Sequence, residues 1–465
     1  MTVMTIIKNK SEILSHGNYE ARRIACEILE DSLKAVNSYN LVKDVVRCLN
    51  QELSIGYLKF HLSTIRNIYV VGAGKAALGM AQALDEILGD KITEGIVIVK
   101  RGQKRGCKLS KIKIVEGGHP IPDESGYYGA QRILDIAQRV KEGDLVIGVI
   151  TGGSSALMCH PVEPMTLEDE KEITDLLLKS GANIFEINAV RRHISATNGG
   201  RLAQKILKNG AKLVTLMIAD ITENTLIIDK YKPREWYGTP LCPDPTTFED
   251  AIHALRKYKL WDKIPKRVKN YLENVNRDME TPKTFEGMEA YTFVLANIGN
   301  LCEAAKNKAK RMGLNSMILT TSLEGESKEA GRVLGCIVKE IRTMHRPISP
   351  PCAVICGGET TVTIEDEHGE GGPSQELALG FALEISEQEG IVGLTFDTDG
   401  TDGFSDAAGG IVDGMTVSRA KKMGLDIFDY LRRHDSTTLL KKLGDAIFSY
   451  PTNTNVCDIN IFVVL

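Results

Sequence analysis

The sequence predicts an α/β protein made of two α/β domains, the first around a doubly wound parallel sheet and the second a smaller mixed sheet. Three observations carry this. Apolar runs of strand length alternate with segments of helical periodicity over most of the 465 residues. Several of those runs end in glycine-rich turns. The chain is also too long for one ordinary core, so two cores are the natural division.

The segment Asn18 to Leu53 reads as opening helices, with Ala21, Ile24, Ala25, Ile28 and Leu29 at helical spacing. Alternating units follow. Strands are expected at Asn67–Val71, Gly95–Val99, Ile112–Val115, Asp144–Thr151 and Lys212–Asp220, and helices at Ala76–Leu88, Gly126–Val140 and Glu168–Ser180. Strands separated by helices imply a parallel, Rossmann-like sheet covered on both faces. From Ile221 to Glu289 proline, charge and irregular helix interrupt the rhythm. Strands then return at Tyr291–Leu295, Ser316–Thr320, Cys352–Cys356, Thr361–Ile364, Gly393–Phe396 and Ile459–Val464, with helices at Lys328–Met344 and Gln375–Ser386. The expected division is therefore residues 1–240, a linker over 241–288, and residues 289–465.

Hydrophobic residues make up 43% and charged residues 25%, and a net charge of −4 gives no electrostatic case for nucleic acid. The densest basic run, Lys100 to Arg105, follows a strand and reads as a solvated loop. No window is apolar enough for a membrane span and the first residues lack a secretory signal, so a cytoplasmic protein is expected. The 10 cysteines are scattered without a C-x-x-C pair, which argues against a zinc site or a disulfide framework.

Phe396-Asp397-Thr398-Asp399-Gly400-Thr401-Asp402-Gly403-Phe404-Ser405-Asp406 sets carboxylates among glycines at a strand end. Hard oxygen ligands in that place suit magnesium, with Asp399 and Asp402 as the candidate ligands, although Asp and Gly are also ordinary turn residues. Gly72-Ala73-Gly74-Lys75 joins a strand to a helix, where glycines let the backbone approach an anion and Lys75 adds a charge. It also fits G-x-G-x-x-A, but the next strand ends in Lys100 and Arg101 rather than an acid, which favours phosphate over NAD. Gly152-Gly153-Ser154-Ser155 and His119 close neighbouring strands and are candidates for holding a carboxylate or phosphate. So are Arg191 and Arg192, whose guanidinium groups fork such anions. Asp220 ends a strand as a candidate proton acceptor. In the second half, Glu359-Thr360, Gly371-Gly372 and Asn455 lie in turns suited to a ligand.

Taken together, Val71-Gly72-Ala73-Gly74-Lys75-Ala76, Gly118-His119-Pro120-Ile121-Pro122-Asp123-Glu124, Glu186 to His193, Gly358 to Thr363, Thr398 to Gly403 and Thr454 to Asp458 resemble the class II glycerate 2-kinases, which carry a MOFRL domain at the C-terminal end. The resemblance covers nearly the whole chain. It implies ATP and Mg²⁺ as cofactors and transfer of the γ-phosphoryl to the 2-hydroxyl of D-glycerate, giving 2-phosphoglycerate. It also implies that Lys75 clamps phosphate, that Asp220 is the base, and that Glu359, Thr360, Gly371, Gly372 and Asn455 face the nucleotide. The expected partners are a small hydroxy acid and a nucleotide, without nucleic acid or membrane, and a homo-oligomer is compatible with this.

The chain departs from the family pattern in its ligand loops. Pro373 stands for the usual Arg and Asn198 for a Lys. Ala219 to Thr225 replaces Ser-Asp-Val-x-Gly-Asp-Asp, and Ala-Ser-Gly-Pro-Thr is lost near Tyr237 to Pro240. A kinase of another small hydroxy or sugar acid is therefore the first alternative. An NAD(P)-dependent hydroxypyruvate reductase and a noncatalytic ligand-binding homologue follow it.

Overall fold

The computed structural model describes residues 5–104, 106–222, 228–364 and 367–465. Two compact units emerge, and both are discontinuous in sequence. One comprises residues 38–218 and 229–295, the other residues 1–37, 219–228 and 296–465. This differs from the contiguous division expected. The stretch 241–288 holds two helices of the first unit, Phe248–Lys257 and Lys266–Glu273, whose apolar sides pack with the helices Leu167–Leu178 and Ile184–His193.

The first unit begins with the helix Ser38–Val45 and three short antiparallel strands, β1 (Val46–Leu49), β2 (Glu52–Ile55) and β3 (Leu58–His61), where the sequence predicted helix as far as Leu53. Its main sheet comprises β4 (Ile68–Ala73), β5 (Ile92–Lys100), β6 (Ile112–Gly117), β7 (Leu145–Ile150), β8 (Lys212–Ile218) and β9 (Ala290–Ala296), in the order β6-β5-β4-β7-β8-β9. Every position of β4 and β7 is buried, as in a parallel sheet covered on both faces. Strand order reverses between β4 and β7. In open α/β sheets that reversal leaves a crevice beyond the carboxyl ends of the strands, where ligands bind.

The second unit is a mixed sheet of β10 (Asn315–Leu323), β11 (Cys352–Gly358), β12 (Ile391–Asp397), β13 (Gly409–Asp413), β14 (Ala446–Ile447) and β15 (Asp458–Val464), ordered β10-β11-β15-β12-β13-β14. Among the described residues β10 and β11 are the only neighbours of this sheet that pair in parallel. The stretch Thr361–Ile364, expected as a strand, makes a single bridge from Thr361 to Glu326 instead. The helices Ser327–Met344 and Pro373–Glu384 approach closely, since a Cβ on Gly380 would lie 2.1 Å from the Lys328 carbonyl oxygen. The N-terminal helix Tyr19–Ala35 belongs to this unit. Its fully buried Arg22 donates to Asp413 at 2.7 Å and to Asp445 at 2.9 Å, which pins the helix to the C-terminal sheet.

Candidate active site

In the first unit the glycine turns after β4 and β7 sit side by side. Lys75 N–H donates to the Gly152 carbonyl at 2.9 Å, and Ala76 N–H to Thr151 Oγ1 at 3.0 Å. Gly74 has φ +143°, and a Cβ there would lie 2.0 Å from Thr151 Oγ1, so only glycine allows this approach. Gly153 has φ +81°. A Cβ on it would meet the His119 ring at 2.9 Å and Lys75 Cγ at 3.4 Å, which brings Lys75, Gly153 and His119 to one point at the sheet reversal. The helix Ala77–Leu88 begins there with no side-chain cap on its N-cap Ala76, leaving its positive dipole end two residues past Lys75. Ser154 is buried, with its N–H donating to the Thr151 carbonyl, and the Ser155 carbonyl accepts from Asn198 Nδ2 at 3.2 Å. Gly72 serves the sheet instead. Its missing Cβ admits the Val149 carbonyl of β7, so it has no side facing a ligand.

The two arginines proposed for anion binding differ. Arg192 Nη1 donates to the fully buried Asp244 at 3.2 Å, and Asp244 also accepts from Thr246 and Thr281. Burial lowers the Arg192 pKa and Asp244 opposes the shift, so Arg192 is an internal ion pair and not an anion fork for substrate. Arg191 has no such commitment: its Nε and Nη2 are buried without a hydrogen-bond partner. Asn198, where the sequence departs from the resembled family, is buried against the Ser155 loop.

In the second unit Asp220 accepts from Asn455 Nδ2 at 2.7 Å and from the Cys457 N–H at 2.9 Å, one donor to each carboxylate oxygen. Asn455 is therefore a buried support for Asp220, which removes it from the nucleotide contacts. Of the departing stretch Ala219 to Thr225, residues 223–225 lie outside the described residues. Glu359 is exposed at the end of β11, whereas Thr360 is buried and accepts from Ser327 Oγ at 2.9 Å.

The acidic loop has a different job from the one expected. Asp402 is 1% exposed, and its carboxylate accepts from Ser374 N–H, Gln375 N–H and Gln375 Nε2 at 2.9–3.1 Å, capping the helix Pro373–Glu384. A Cβ on Gly372 would strike that carboxylate at 2.3–2.5 Å, and the Gly371 carbonyl accepts from Phe404 N–H. The helix start suited to a phosphate is thus filled by the protein's own anion; Gly372 faces that carboxylate, and Gly371 packs against Ser436 and His434. Asp399 Oδ1 accepts from the N–H and hydroxyl of Thr401, an ordinary turn. Asp399 and Asp402 do not fit a magnesium pair. Among the described residues no group of three or more His, Cys, Asp or Glu is placed to hold a metal.

Sequence reasoning missed Thr151, whose hydroxyl ties the two glycine turns, and the pair Asp397 and Asp458, which face each other across β12 and β15. Burial first, then Asp397, Asp402 and Glu359, push the Asp458 carboxyl well above the usual range. Alternation on the last strand, where Asp458, Asn460 and Phe462 share a face, was the available signal.

Residues 24–273 match the family described as a domain of unknown function (DUF4147), and residues 352–458 match the MOFRL family. A glycerate 2-kinase of Pyrococcus horikoshii is 41% identical over 96% of this chain and 98% of its own, and a D-glycerate 2-kinase of Thermotoga maritima is 38% identical over the same shares. The crystal structure of the Thermotoga maritima glycerate kinase superposes with a TM-score of 0.77 at 37% identity, covering 95% of this chain and 99% of that one. Such relatives define the class as phosphotransferases with an alcohol acceptor. Within that class the chain belongs to the glycerate 2-kinase family. Among the described residues no helix is long and apolar enough to cross a membrane.

Proposed function

We propose that the protein transfers the γ-phosphoryl of ATP to the 2-hydroxyl of D-glycerate, giving 2-phosphoglycerate and ADP. The observation that carries this is the meeting of Lys75, His119 and Gly153 at the sheet reversal, beside an uncapped helix start. Phosphoryl transfer asks mainly for positioning and neutralised charge. Lys75 supplies a compact cation for the phosphoryl oxygens, and the turn of Gly74, Gly152 and Gly153 lets backbone approach them. Asp220, oriented by Asn455 and the Cys457 N–H, takes the proton of the 2-hydroxyl as its oxygen bonds to phosphorus and the bond to the ADP oxygen breaks. Magnesium belongs to this reading as a companion of the nucleotide phosphates, a common mode for that ion. Exposed Glu359 is the nucleotide-facing candidate retained, and a cytoplasmic setting is part of the proposal.

A second reading, a kinase of another small hydroxy or sugar acid, is favoured by Pro373. It is the first residue of its helix and offers no guanidinium there. Coupled ADP release over D-glycerate, hydroxypyruvate, tartronate and longer aldonates, with and without magnesium, separates the two. D-glycerate giving the highest kcat/KM supports the first reading. A better acceptor selects the second, and NAD(P)H consumption without ADP release overturns both.

A further inference from the structure

Behind the Ser155 loop of the first unit lies a group of buried polar atoms that satisfy nothing around them. Glu170, on the helix Leu167–Leu178, is 1% exposed, and both carboxylate oxygens lack a hydrogen-bond partner. One turn along the same helix, Thr174 Oγ1 is buried and unpartnered too. Arg191, on the helix Ile184–His193, is 8% exposed with Nε and Nη2 unpartnered. Glu170 and Arg191 feel each other's charge, yet no hydrogen bond joins them. Asn198 Oδ1, from the residue that braces Ser155, is likewise buried without a donor.

A buried guanidinium and a buried carboxylate left apart are costly, and folded proteins keep such groups where something else completes them. A guanidinium fork matches a carboxylate in two parallel hydrogen bonds. We propose that Arg191 binds the substrate carboxylate, and that Glu170 is its resting counter-ion, which yields to the substrate by taking up a proton from solvent. This rests on the hydroxy-acid kinase reading above and adds the anchor of the acid group.

The surroundings support the exchange. Burial pushes the Glu170 carboxyl up to about 7, with Arg191 pulling the other way. Among the described residues the other titratable group acting on the pair is Cys159, after the short helix Ser154–Leu157. Burial raises its thiol, Glu170 and Asp123 adding to the effect, so it stays neutral. An anion on Arg191 cancels the pull on Glu170 and raises its pKa further. Below that range Glu170 is already neutral and binding costs no proton. Above it, each bound anion brings one in, so affinity falls with rising pH, at most about tenfold per unit.

The test is calorimetric titration of D-glycerate into the full chain without nucleotide, in two buffers of different ionisation enthalpy at pH 7.5. The wild type is expected to take up a fraction of a proton, and Glu170→Gln to take up none. Glu170→Asp, which restores a titrating acid, is expected to regain uptake. Arg191→Met is expected to weaken D-glycerate at least about thirtyfold, the scale of a lost charge-assisted hydrogen bond. Uptake absent in the wild type, or unchanged in Glu170→Gln, overturns the inference even where D-glycerate is turned over. If D-glycerate neither binds nor turns over, the substrate assignment has failed. The same titration with the acid chosen by the ADP-release screen then decides the anchor separately.

Discussion

Two glycine-rich turns of this protein look alike in sequence and differ in what they enclose. Around Lys75, Gly74 admits the Thr151 hydroxyl and Gly153 admits the His119 ring, and the helix start beyond them has no side-chain cap. Around Asp402, Gly372 admits a carboxylate that already occupies the start of the helix Pro373–Glu384. Both loops use glycine for close approach. In one the approaching groups leave the helix dipole available, and in the other they consume it. A glycine loop is therefore a candidate anion site only when no internal acid has taken its amides.

The largest effect that tests this contrast is expected from Asp220→Asn. Loss of the proton acceptor should lower kcat by about 10²–10⁴-fold with nucleotide affinity within a few-fold, by steady-state kinetics and nucleotide titration. A collapse of nucleotide affinity would move Asp220 to the nucleotide. Lys75→Ala comes next, with kcat down at least about 100-fold, or ~2.7–4 kcal/mol, in a protein whose Tm is unchanged. Lys75→Arg should fail as well, because a planar fork does not replace a compact ammonium.

On the other side of the contrast, Asp402→Ala should cost about 1–3 kcal/mol of stability in urea melts, since it strips a cap and leaves buried N–H groups unmatched. Its magnesium requirement should not move, and a shifted requirement would restore the metal assignment. Burial pushes Asp402 up to about 6, against the hydrogen bonds from Gln375 and Ser374. A carboxyl raised above its unfolded value stabilises most at low pH, and that contribution fades as pH rises from about 4 through about 6. Asp402→Asn should flatten stability over that interval. The smallest effect is expected from Asp399→Asn, within about 0.5 kcal/mol and without a change in magnesium response, because asparagine keeps the Oδ1 that accepts from Thr401.

The parallel sheet was legible because strands buried on both faces read as unbroken apolar runs, as in Leu145 to Ile150. β1 to β3 were not. The true helical spacing of Leu41, Val42 and Val45 runs on without a break into Val46, and strands this short carry too few alternations to compete. β13 hides behind Gly409-Gly410, which reads as a turn. Of the candidate site, Lys75 with its glycines was legible because backbone geometry at a strand-helix turn demands those residues. Arg191 and Arg192 are adjacent in sequence, but successive helix positions point about 100° apart, and only folding shows that one meets Asp244. Glu170 was concealed by its neighbours. In Leu167-Glu168-Asp169-Glu170-Lys171 a buried acid looks like one more solvated charge.

The clasp of Arg22 on Asp413 and Asp445 has a consequence for how the chain is made. Arg22 leaves the ribosome 423 positions ahead of Asp445. At the usual pace of synthesis that is a wait of some tens of seconds, during which residues 38–295 can already collapse around their own sheet. Until then the Arg22 guanidinium lacks the two carboxylates that hold it in the folded protein. Carboxylates made late thus complete the place prepared for a guanidinium made early.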